Sequence, residues 1–148
     1  MTTTATSQPH RTRRVRGVLL STLVGGVIAS VVNALVALVA LAAGADPSTQ
    51  GLTPPAYITF TIVGVLVGAI GWMLIGRARS AGRILAVLVP VVVLVSLIPD
   101  IALALGATNS GGVTAAVALG IMHVVTAAVA VPVYRVFLPL AKRPQASA

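Results

Sequence analysis

The sequence predicts an all-α membrane protein, with four transmembrane helices in an up-down antiparallel bundle and both termini cytoplasmic. Three observations carry that prediction. Four apolar runs follow one another along the chain, each long enough to cross a bilayer, which takes about 20 residues. Only 8% of the residues are charged, where a soluble domain carries about 25%, and the mean hydropathy is +1.05. All ten Lys/Arg fall in or beside the N-terminal segment, the turn between the second and third runs, and the C-terminal segment. By the positive-inside rule those three places are cytoplasmic and the two remaining loops are external.

Taken in order, residues 1–16 are polar and end in Arg11, Arg13, Arg14 and Arg16, so they read as a disordered basic tail. The first helix is expected over about 17–43. It is far longer than the roughly 7–15 apolar residues of a signal peptide, which makes it a retained anchor. Gly26, Ala29, Asn33, Ala37 and Ala40 recur at helical spacing and line one face with small residues, which lets helices approach closely in lipid. Residues 44–56 hold Gly44, Asp46-Pro47, Gly51 and Pro54-Pro55, all turn-forming, and read as a loop. The second helix is expected over about 57–76, with Gly64, Gly68 and Gly71 as a close-packing face.

A short basic turn follows, then a third helix over about 84–106. It contains Pro90 and Pro99, each of which removes a helix hydrogen bond and favours a kink. The fourth helix is expected over about 113–137, with Ala116, Gly120, His123, Ala127 and Ala130 as a second small-residue stripe. Residues 17–139 thus form the transmembrane domain, and 140–148 form a basic C-terminal tail with Lys142 and Arg143.

Asp100 is one of two acidic residues in the chain and lies in the third apolar run. A carboxylate near the centre of a transmembrane helix costs roughly 2.5–3.5 kcal/mol on insertion scales, so it needs a partner or water. Measured from the external helix ends at about 1.5 Å per residue, Asp100, His123 and Asn33 lie roughly 9, 16 and 15 Å deep. They are expected to share one polar intramembrane cluster, with Ser96, and with Thr126 as a further member. Such a cluster has two readings. It ties helices together, each bond giving about 0.6 kcal/mol in membrane proteins, or Asp100 and His123 form a protonatable site of the kind used by proton-coupled transporters.

Several function classes are disfavoured. The chain has no cysteine, which removes disulfides, thiolate nucleophiles and Cys-type zinc sites. Its two histidines, His10 and His123, stand far apart in the sequence, so neither a metal nor another cofactor is expected. The two acids, Asp46 and Asp100, lie in separate segments, and no catalytic residues are assigned. A net charge of +8 points in a soluble protein to nucleic acid. Here the cations flank apolar runs, so the expected partner is a bilayer with anionic headgroups at its cytoplasmic face, and no nucleic acid.

Asn33, Pro54-Pro55-Ala56-Tyr57, Ser96-Leu97-Ile98-Pro99-Asp100 and Met122-His123-Val124 resemble the corresponding segments of short actinobacterial four-helix membrane proteins, catalogued as a domain of unknown function. The resemblance covers about residues 17–139 and implies a four-span fold in the cytoplasmic membrane. The chain also has the size of small multidrug exporters. It departs from them in carrying Asn33, not a glutamate, in the first helix, and in being only 3% aromatic. The sequence therefore predicts a non-enzymatic multi-pass membrane protein, acting as a homo-oligomer or with a membrane partner; the alternative is a small proton-linked transporter using Asp100 and His123.

Overall fold

The computed structural model describes residues 9–140, with side chains from residue 12 onward. It contains α1 (Pro9–Ala42), a short 3-10 turn (Gln50–Leu52), α2 (Pro54–Ile75), α3 (Ala81–Ser96), α4 (Ile98–Gly106) and α5 (Ser110–Phe137). Four stretches are long and apolar enough to cross a membrane: Thr12–Ala42, Pro54–Ile75, Ala81–Gly106 and Ser110–Phe137. Their contacts close a four-helix bundle: α1 lies along α2 and α5, and α4 lies along α5.

The boundaries follow local chemistry. Helix α1 ends in a Schellman cap, with Ala45 N–H donating to Ala40 O at 2.9 Å and Gly44 N–H to Leu41 O at 3.1 Å. The cap needs a left-handed residue, and Gly44 supplies it at φ 87°. Pro54 and Pro55 occupy the first turn of α2, where a missing N–H costs nothing. Asn109 caps α5, its side chain accepting from Gly112 N–H at 2.8 Å.

Two expectations about the elements are corrected. The first helix begins at Pro9, so residues 9–16 are helical and not a tail. Proline suits a first helical turn, and the arginines that follow are good helix formers. Residues 1–8 and 141–148, the rest of the expected tails, lie outside the described residues. The third helix is two helices, broken at Leu97. Pro99 has no N–H to return to Val95 O, and Leu97 N–H instead reaches Val93 O and Leu94 O, both at 3.2 Å. Pro90, by contrast, stays inside α3 without dividing it.

Two apolar clusters fill the bundle. One gathers Val18, Val65, Ala69, Trp72, Leu85, Ala130, Tyr134 and Leu138. The other gathers Ala37, Ala40, Ala45, Leu52, Ala115, Ala118 and Met122. Along α1 the chain meets the first cluster, then Asn33, then the second. Along α2 and α5 the order is reversed, with Thr61 and Thr126 in the middle. A polar layer therefore lies between two greasy ones. The first cluster is fixed by aromatic side chains: Trp72 Nε1 donates to Leu138 O at 3.0 Å, Tyr134 Oη donates to Val65 O, and the two ring centroids are 5.6 Å apart. Both aromatics are buried in the bundle. At the opposite end the loop after α1 meets the first turn of α5, with Asp46 N–H donating to Gly111 O at 3.0 Å.

Candidate functional site

The polar layer is built from three helices and the broken third span. Asn33 is 1% exposed on α1. Its amide nitrogen donates to Thr61 Oγ1 of α2 at 2.9 Å and to Thr126 Oγ1 of α5 at 3.1 Å. Thr126 Oγ1 passes the chain on, donating to Met122 O at 2.7 Å. A single side chain thus ties three helices, and its amide oxygen, Oδ1, is buried without a hydrogen-bond partner.

One turn along α5 from Thr126, His123 approaches Asp100 of α4, with Nδ1 and Oδ2 2.9 Å apart. The same Nδ1 lies 3.0 Å from the carbonyl oxygen of Leu119. The ring N–H is aligned on that carbonyl, so Asp100 Oδ2 makes a charge contact with the ring and not an aligned hydrogen bond. The two partners differ in cover: the Asp100 side chain is 10% exposed and that of His123 40%. The helix break contributes as well. Asp100 sits in the first turn of α4, where the aligned N–H groups favour a negative charge.

The structure separates what the sequence pattern grouped as one cluster. Asp100 and His123 form one pair, and Asn33 forms another set with Thr61 and Thr126. Because His123 and Thr126 are three residues apart on one helix, the two sets are neighbours on α5. Ser96 joins neither; its hydroxyl donates to Val93 O at 2.7 Å within its own helix. Thr61 is the member that sequence reasoning missed. A threonine on an apolar helix looks unremarkable, and only the α1–α2 register brings it to Asn33.

The glycines also divide. A Cβ at Gly68 would lie 2.6 Å from Tyr134 Oη, and one at Gly26 or Gly120 would touch Ile62 or Leu97 at 3.5 Å. A Cβ at Gly64 or Gly71 would meet nothing within 4 Å. Those two positions are therefore not close contacts inside the bundle. Among the described residues no group of three metal-binding side chains occurs.

A family model described as "Family of unknown function (DUF6069)" matches residues 11–139, which spans the whole bundle. No curated protein and no solved structure matches the chain.

Proposed function

The chain belongs to the DUF6069 family of unknown function, and on that premise we propose a non-enzymatic component of a bacterial cytoplasmic membrane, whose Asp100–His123 pair fastens the broken third span to the fourth. The observation that carries this reading is the 2.9 Å contact between a buried carboxylate and an imidazole on adjoining helices. The Arg-over-Lys and Ala/Val bias fits an actinobacterial source.

The orientation we propose is up-down and antiparallel with both ends cytoplasmic. The reversed order of the two apolar clusters on α1 against α2 and α5 supports the antiparallel part. The placement of every Lys/Arg with the N-segment, the second turn and the C-segment supports the cytoplasmic part. Those cations would face anionic headgroups. We further propose that the protein acts as a homo-oligomer or with another membrane protein, because the third span is sparsely covered within one chain.

The second reading, a proton-linked transporter, is favoured by the unequal cover of the pair: an acid held inside and an imidazole left partly open. Purified protein in vesicles containing a pH-sensitive dye separates the two. A structural component gives no proton flux above protein-free vesicles. Flux that disappears in Asp100→Asn would overturn that role and establish transport. For orientation, the cysteine-free chain permits single cysteines in each terminal segment, and both should be labelled only from the cytoplasmic side.

A further inference from the structure

His123 stands near the midpoint of α5, where an unpaired polar atom is most costly, and its two ring nitrogens are in different situations. Nδ1 lies between Leu119 O at 3.0 Å and Asp100 Oδ2 at 2.9 Å. A peptide carbonyl can only accept. An unprotonated Nδ1 at that distance would set its lone pair against that of the carbonyl and, beside an ionised Asp100, against the carboxylate as well. Beside the carboxylate, Nδ1 therefore carries the hydrogen of the neutral ring. Nε2 makes no hydrogen bond among the described residues, and it is not enclosed by them.

We propose that Nε2 of His123 is the atom at which the pair takes up and releases its exchangeable proton, and that this open side of the ring is the docking point for a proton or a hydrogen-bond donor such as water or a hydroxyl group. The inference rests on the protonatable-pair reading above and adds the atom and the side of approach. Asp100 of α4 is the charged group against the ring. The polar groups of the neighbouring set are neutral: Asn33 of α1, Thr61 of α2 and Thr126 of α5. Nε2 exchanges its proton with the open side of the ring, and Asp100 stays a carboxylate on the Nδ1 side. When Nε2 gains a proton the imidazole becomes a cation and forms a net-neutral ion pair with the Asp100 carboxylate, the arrangement a low-dielectric interior favours. When Nε2 releases that proton to the open side, a neutral Nδ1–H imidazole is left beside the carboxylate and the pair's charge falls by one. Leu119 O and Asp100 then act as positioning groups that fix the ring and aim Nε2 outward.

The test is nitrogen NMR of ring-labelled histidine in lipid bilayers, using His10→Gln so that His123 gives the sole imidazole signals. Nε2 is identified by its correlation with both carbon-bound ring protons. The expected result is the Nδ1–H form on the basic side of the titration, the reverse of the preference of free imidazole, with Nε2 shifting on acidification. The same tautomer is expected in Asp100→Asn, since the Leu119 carbonyl is unchanged. An Nε2–H form at high pH, a titrating Nδ1, or rapid averaging between tautomers would overturn the proposal. Vesicle flux is an independent readout: no flux alongside an Nδ1–H tautomer sinks transport and leaves the assignment standing, while flux with an Nε2–H tautomer does the opposite.

Discussion

The first and third spans are both apolar and membrane-length, yet they are held in opposite ways. Of the most apolar stretch of the first span 33% is buried within the bundle, against 11% for the third. The first is one continuous helix whose small residues sit flush against two neighbours, with Ala29 at 0% exposure and Ala37 at 3%. The third is broken by Pro99, presents Val87, Leu94 and Leu105 outward, and carries the buried acid. Close packing thus positions the first span. The third leans on α5, and a charge contact forms a larger share of what holds it. Chemistry that depends on an adjustable helix belongs on the second kind of span and not on the first.

That contrast can be broken by enlarging side chains. Ala29→Leu forces extra methylenes into a filled interface and should cost about 1–3 kcal/mol of stability in reversible unfolding from detergent or bicelles. Ala86→Leu, on the exposed side of α3, should stay within about 0.5 kcal/mol of the parent. Equal losses would mean that the third span is packed as tightly as the first.

A polar pair of substitutions sharpens the same point. Asn33→Leu leaves the Thr61 and Thr126 hydroxyls without their shared donor and should cost about 1–2 kcal/mol. Ser96→Ala removes a bond within one turn of α3 and should move the unfolding midpoint little. A smaller contrast lies within α2. Gly68→Ala crowds Tyr134, whose hydroxyl is already committed to Val65 O, and should destabilise. Gly64→Ala meets open space and should stabilise by about 0.5 kcal/mol through helix propensity. The reverse order would place Gly64, not Gly68, at a tight contact.

The weakest effect concerns the loop after α1. Ser48 donates to Asp46 Oδ1 from its hydroxyl at 2.7 Å and from its backbone N–H at 2.9 Å, and these bonds hold the Asp46 carboxyl below its ordinary value. A depressed carboxyl contributes stability above the ordinary carboxylate range, and that contribution is lost as pH falls through the lowered value. In Ser48→Ala the Asp46 titration, followed by NMR, should move upward, with little change in overall stability because the carboxyl lies in a surface loop where solvent screens it.

Much of the fold was legible before any coordinates. Runs of Val, Ala and Leu mark the spans, and Gly44 and Pro54-Pro55 mark their edges by chemistry that acts within a few residues. The pairing of Asp100 with His123 was legible too, because each is a costly group in lipid and few others could compensate it. The rest depended on register. Nothing in α2 alone singles out Thr61, and Gly64 and Gly68 have the same spacing signature although one faces Tyr134 and the other open space. Ser96 was grouped with the acid by its spacing, but a serine in an apolar helix can satisfy itself on its own backbone. The break at Leu97 follows from Pro99, whereas Pro90, with the same missing N–H, leaves α3 intact. Proline alone does not say where a helix will divide.

The most direct test of the clamp between the third and fourth spans is a double-mutant cycle on Asp100→Ala and His123→Ala, measured by reversible unfolding in bicelles. A carboxylate and an imidazole 2.9 Å apart should couple, so the double variant should lose less stability than the two single losses combined, by about 0.5–3 kcal/mol. Losses that simply add would contradict the account, because the third span would then be held in place without that contact.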